Sequence, residues 1–266
     1  MFEKKIIFIC NSDMFYTLPT IYNLVKNEKS LNIKVKKILV SKFKNSNNSL
    51  ASRINFLINT GGYKETLLYL FFLFFKRLLY ILKGVKSFNH VSRKFGIEIE
   101  YVESLDRLSK KEIMSLGSEV DYGLIMIDEI INPSFISSFN KLLINKHSSL
   151  LPEGKGLFPY IRVFTESISP GVSFHEVVEE IDSGNIFFQE VVDRSETFSM
   201  TKYYEYVFSN YHMHLKKCLE NIDKGIVIKN NLQTSYFSTP SKNTFKIFRN
   251  SKGKLIRFSD FLILFH

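Results

Sequence analysis

The chain has 266 residues, 45% of them hydrophobic, and 36 Lys plus Arg against 26 Asp plus Glu leave a net charge of +10. That length allows one large α/β domain with an ordinary core. The positive balance favours anionic partners: nucleotides, phosphorylated sugars, RNA or a negatively charged membrane surface. Cys10 and Cys218 are too few and too far apart for a disulfide scaffold or a thiolate zinc site, which points to a reducing compartment. The opening MFEKKIIFICNSD has too short an apolar core for a signal peptide, so cytoplasm is the expectation.

In chain order, Lys5 to Cys10 (KIIFIC) reads as a buried parallel strand entering a loop at Asn11-Ser-Asp-Met14. Helical spacing follows from Phe15 to Val25, then a strand over Leu31 to Val40 and a Ser/Asn/Lys-rich loop from Ser41 to Ser52. The segment Tyr63 to Lys83 stands out, because Thr66 to Leu82 is apolar apart from Lys76 and Arg77. A span needs about 20 nearly uncharged residues. A mostly buried helix, packed on the sheet or on a partner subunit, is therefore the leading reading. An interfacial membrane helix with Lys76, Arg77 and Lys83 touching head groups stays open, and so does a true span.

Val91 to Phe95 reads as a helix closed by Gly96, followed by a strand from Ile97 to Val102 and a short helix from Ser109 to Leu116. Tyr122 to Ile127 is a strong strand, Asn132-Pro133 opens another short helix, and Leu142 to Asn145 is a further strand. Tyr160 to Glu166 is helical, and Val172 to Val177 and Ile186 to Val192 are strands. Met200 to Ile222 reads as one long amphipathic helix ending near Gly225. The alternation predicts an α/β fold: a doubly wound, mostly parallel, Rossmann-like sheet with helices on both faces and a short C-terminal tail. Residues 1–225 form the expected catalytic domain, with a hydrophobic helical insert near 63–84. Residues 226–266 form an extension packed on the core, with Tyr236 to Pro240 as a packing element.

Three residues suggest chemistry. Asn145 and His147 are two apart, so on an extended segment their side chains share a side. Asp182 lies on a turn marked by Gly184, ahead of a strand. An amide can hold a developing oxyanion, an imidazole can take a proton near neutrality, and a carboxylate can orient that imidazole. Singly, each would be a cap, a loop residue or a turn former.

The wider pattern binds them together. Asn145, His147, Ser149, Leu150, Leu151 and Pro152 fit Asn-x-His-x-Ser-Leu-Leu-Pro. Gly171-Val-Ser-Phe-His175 and Asp182-Ser-Gly184-Asn-Ile186 follow in register. Together they resemble the formyltransferase family, which moves a formyl group from N10-formyltetrahydrofolate to an amine; the layout is similar to that of sugar N-formyltransferases. The likeness is good from Tyr122 to Val192.

The resemblance implies a one-carbon transferase with catalytic Asn145, His147 and Asp182, N10-formyltetrahydrofolate as co-substrate and no metal. It implies that backbone groups of two loops hold the pterin: Ile127, Asp128, Glu129, Ile130 and Ile131 in one, Val178, Glu179 and Ile181 in the other. It assigns acceptor contacts to Ser149, Lys155, Gly156, Pro159 and His175. Where the family commonly has an aromatic-Arg-Gly segment and a Pro, this chain has Gly154, Lys155, Gly156 and Pro159.

The expected acceptor is a small-molecule amine, the amino group of a nucleotide-linked sugar in surface polysaccharide synthesis. Methionyl-tRNA is disfavoured because the tail after Gly225 is short for an added barrel. Glycinamide ribonucleotide is disfavoured because Asn11-Ser-Asp-Met14 lacks the glycines of a phosphate loop. Both stay open, as do a lipid-linked amino sugar and a folate-binding or hydrolytic relative. DNA is not an expected partner, whereas a homodimer and peripheral membrane contact are left open.

Overall fold

A computed structural model of the chain describes residues 3–42, 49–127, 129–193, 198–251 and 253–265. Strands β1 (Lys4–Asn11), β2 (Ile33–Ser41), β3 (Glu98–Val102), β4 (Tyr122–Met126), β5 (Leu142–His147), β7 (Gly171–Glu176) and β8 (Ile186–Val191) form one seven-stranded sheet. Its order is β3-β2-β1-β4-β5-β7-β8, parallel through β5 and antiparallel at β7 and β8. The first strands are nearly continuous apolar runs because helices cover both their faces. A separate ladder joins β6 (Lys155–Gly156) to β9 (Tyr236–Phe237).

The two faces have separate cores. Ile6, Phe8, Val35 and Leu124 pack beneath α1 (Thr17–Lys26), α3 (Leu50–Leu82), α4 (Phe88–Phe95) and α7 (Pro159–Thr165). The same large core takes in α8 (Met200–Ser209), α9 (Tyr211–Asp223) and α10 (Lys242–Asn250). On the other face a smaller core joins Ile7, Ile9, Ile125 and Leu143 to α5 (Lys110–Ser118) and α6 (Pro133–Ile136). A single turn, α2 (Glu28–Leu31), precedes β2, so Leu31 ends a helix and does not begin the strand.

Other expectations change as well. The strand holding Asn145 runs on to His147, because β7 pairs with it antiparallel through His147↔Ser173. The long helix predicted over Met200 to Ile222 is two helices. At Asn210 (φ −88°, ψ 3°) the side-chain amide donates to the Tyr206 carbonyl at 2.9 Å, satisfying the end of α8 and letting the chain turn. The apolar segment is helical within α3, kinked at Gly62, but it is not mostly buried. Only Thr66, Tyr69, Phe72 and Lys76 of that segment are buried, and Leu67, Phe71 and Phe74 face solvent. No described helix is long and apolar enough to cross a membrane. In the loop expected over Ser41 to Ser52, residues 43–48 lie outside the described residues, and α3 already begins at Leu50.

Candidate active site

Alternation along β5 sets the site. Leu143, Asn145 and His147 share a face of the strand, and Leu143 belongs to the smaller core under α5 and α6. The row thus begins apolar and ends polar. Asn145 is half-buried and His147 buried. Lys146 points the other way, with Nζ 3.7 Å from the centre of the Phe208 ring and donating to Ser148 Oγ at 3.3 Å. Burial lowers its ammonium pKa to about 7.

Asp182 reaches this row from the loop between β7 and β8. Its backbone is left-handed (φ 51°), a conformation that Asp tolerates better than most residues. Gly184 closes the same turn against β7, since a Cβ there would stand 2.1 Å from the Glu176 carbonyl oxygen. The carboxylate accepts the Gly156 N–H at 2.8 Å and lies 3.5 Å from His147 Nδ1 and 3.5 Å from His175 Nε2. Burial pushes its pKa up. The nearby His175 imidazole, the charge of His147 when protonated and the Gly156 N–H outweigh that and hold it at about 2.

Both imidazoles are oriented by backbone carbonyls. His147 Nε2–H donates to the Gly154 carbonyl at 2.8 Å, which turns Nδ1 towards Asp182. His175 Nδ1–H donates to the Glu176 carbonyl at 2.7 Å, which turns Nε2 towards Asn145 Nδ2 (3.3 Å) and Asp182. Burial lowers the His147 pKa, and the Asp182 carboxylate opposes that without reversing it. The neutral ring therefore keeps its lone pair on Nδ1, where an added proton would sit beside a carboxylate. Among the described residues no three His, Cys, Asp or Glu side chains are arranged to hold a metal ion.

The other predicted residues fall into place unevenly. His175 joins the cluster directly. Lys155 Nζ donates to Ser183 Oγ at 2.6 Å and lies 3.7 Å from Glu180, so it spans the Asp182 loop. Gly156 contributes its N–H; its φ of 89° and the Phe237 carbonyl, 2.3 Å from where a Cβ would sit, require glycine. Ser149 is buried and donates to the Glu153 carbonyl at 2.7 Å, holding the loop. Pro159 is buried at the start of α7.

Ile127 and Ile131 pack on the smaller core while Ile130 is exposed. The Glu129 carboxylate accepts from the Ser41 hydroxyl, from Ser104 Oγ (2.8 Å) and from the Leu105 N–H (3.0 Å), tying that loop to the ends of β2 and β3. Asp128 lies outside the described residues. Val178 is half-buried, and Glu179 and Ile181 are exposed.

Several supporting residues escaped the sequence reading. Tyr203 Oη donates to the Ser148 carbonyl at 2.7 Å and accepts the Gly171 N–H at 3.1 Å. Ser173 Oγ donates to the Ser149 carbonyl at 2.6 Å and accepts the Leu151 N–H at 3.0 Å. Gln189 and Asn230 both donate to the Leu151 carbonyl. The residue before β9 continues this support: the Ser235 carbonyl accepts the Lys155 N–H at 2.9 Å, and Ser235 Oγ accepts the Gly154 N–H at 2.9 Å. Such residues carry no signal of their own, because they act on backbone carbonyls and amides.

The sequence model of the family described as "Formyl transferase" matches residues 100–218, the stretch that holds this cluster. That stretch belongs to the formyl transferase family. Among curated relatives it is similar to methionyl-tRNA formyltransferase of Sulfurihydrogenibium sp., 30% identical over 49% of this chain and 39% of the relative. It is also similar to mitochondrial formyltetrahydrofolate deformylase 1 of Arabidopsis thaliana, 32% identical over 40% of this chain and 34% of the relative. The match thus spans about two fifths or less of these relatives' own length. Among solved structures, a sugar N-formyltransferase from Shewanella sp. shares the fold with a TM-score of 0.55. It is 16% identical, over 92% of this chain and 87% of that one.

Proposed function

We propose that the chain transfers a formyl group from N10-formyltetrahydrofolate to a primary amine, and that the amine belongs to a nucleotide-linked sugar. The convergence of Asn145, His147 and Asp182 carries the first half of this reading. N10-formyltetrahydrofolate supplies the electrophilic formyl carbon, and the acceptor nitrogen forms the new C–N bond as the bond to N10 breaks. With His175 Nε2 accepting one Asn145 N–H, the second N–H is left for the oxyanion. His147 Nδ1 takes the proton that the acceptor nitrogen sheds, and Asp182 at 3.5 Å stabilises the resulting imidazolium. The proton then passes to N10 as the amine leaves. Backbone groups of residues 129–131 and 178–182 are the proposed contacts to the pterin edge, and Lys155 and His175 are the proposed acceptor contacts.

The loop after β1 favours a sugar nucleotide over glycinamide ribonucleotide. The Asp13 carboxylate accepts the N–H groups of Phe15 (3.1 Å), Tyr16 (2.7 Å) and Thr17 (2.8 Å) at the start of α1. An intramolecular carboxylate thus fills the amide cluster that a phosphate would need there. The net positive charge suits a nucleotide diphosphate elsewhere.

The test is incubation with 10-formyltetrahydrofolate and an acceptor panel of amino-sugar nucleotides, glycinamide ribonucleotide and methionyl-tRNA, followed by mass. Formylation confined to amino-sugar nucleotides supports the reading; formylation of another member of the panel alone would replace its second half. The similarity to a deformylase gives hydrolysis as a second reading, distinguished by folate release with no acceptor present.

A further inference from the structure

Helix α3 carries an apolar stripe on the side away from the core. Its inner face is partly polar: Thr66, Tyr69, Phe72 and Lys76 are buried, and Lys76 pairs with Glu205. Outside, Leu67 (58% exposed), Phe71 (52%), Phe74 (62%), Phe75, Leu78 and Leu82 (74%) recur at helical spacing along one face. Single exposed apolar residues are ordinary; a continuous line of large ones is not. Beside it the 3₁₀ turn Phe258–Phe265 packs Phe261 edge-on against Phe72 at 5.5 Å and leaves Phe258 81% exposed.

The charges around this face have one sign. From Tyr63 to Lys86 the cations other than buried Lys76 are Lys64, Arg77, Lys83 and Lys86. The single acid there, Glu65, is paired with Lys254 at 2.9 Å. Lys94 adds to the same end, its Nζ 3.7 Å from where a Cβ on Gly84 would sit. We propose that this face is a docking surface for an anionic lipid bilayer, with α3 lying in the plane of the interface. Large apolar side chains entering the acyl boundary with cations beside them at the head groups is the pattern such helices use. A second copy fits less well. Pairing two such helices in either direction would bring cationic ends together, at a cost that an anionic surface converts to attraction. The proposal is independent of the chemistry at Asn145 and His147.

The experiment is co-sedimentation of the full chain with phosphatidylcholine vesicles containing about one third phosphatidylglycerol, against phosphatidylcholine alone. The variants are Phe71→Gln/Phe74→Gln/Phe75→Gln and Lys83→Glu/Lys86→Glu. All these side chains are exposed, and unchanged far-UV circular dichroism verifies folding. The wild type is expected to bind the anionic vesicles more tightly, and less so as salt rises. The triple variant is expected to lose about ten-fold or more in affinity. The charge reversal is expected to remove the preference for anionic vesicles. Equal binding by wild type and triple variant, or no preference for anionic vesicles in the wild type, would overturn the proposal. So would a wild-type dimer in sedimentation velocity that the triple variant dissolves while vesicle binding is absent.

Discussion

At the residue scale, the arrangement of two imidazoles around one carboxylate decides which atoms do what. His147 Nε2 is committed to the Gly154 carbonyl and His175 Nδ1 to the Glu176 carbonyl, so each ring offers its other nitrogen to Asp182. Burial keeps the His147 pKa below its ordinary 6.5, so the neutral base persists to lower pH than for a solvated histidine. In a formyl-transfer assay kcat/KM is expected to rise with pH to a plateau, with the acid limb below that value. Asp182 raises the His147 pKa, so Asp182→Asn is expected to move the limb lower still while reducing the plateau. A limb that stayed in place would remove Asp182 from the proton-handling role. Asn145→Ala removes the proposed oxyanion donor and is expected to reduce kcat about 10²–10³-fold with little change in KM. A loss confined to KM would assign Asn145 to binding alone.

At the scale of elements, the sequence revealed strands by their apolar runs and helices by their caps. Asn132 caps α6 and Gly96 closes α4 as expected. The clustering of Asn145, His147 and Asp182 was legible because their spacing sits in a longer pattern. The supports at Tyr203, Ser173, Gln189 and Ser235 were not, since a residue that serves a distant backbone group leaves no periodicity. The apolar run in α3 misled for a related reason: burial normally follows hydrophobicity, but here the buried face includes Lys76. Lys76 and Glu205, both almost fully buried, form a salt bridge, and the ammonium also lies 3.8 Å from the centre of the Tyr16 ring. Lys76→Met alone strands a buried carboxylate and is expected to cost about 3–5 kcal/mol in urea unfolding, most of it recovered by adding Glu205→Leu. A loss below about 1 kcal/mol in the single variant would show that the pair is hydrated in solution.

At the scale of the whole molecule, the doubly wound sheet brings the ends of β4, β5 and the β7–β8 loop to one region. The tail strand β9 is fastened to the same region through β6. Gly156 stands at that join, with its N–H on Asp182 and Phe237 across the ladder. The outer face of α3 lies outside this arrangement. The role of Asn145, His147 and Asp182 in passing a formyl group to an amine is checked by the stoichiometry of turnover. With 10-formyltetrahydrofolate and an amino-sugar nucleotide, the wild type should release one folate for each formylated amine formed, and His147→Ala should reduce both rates together by about 10²-fold or more. Folate release without formylated amine, or formylation undiminished in His147→Ala, would contradict it.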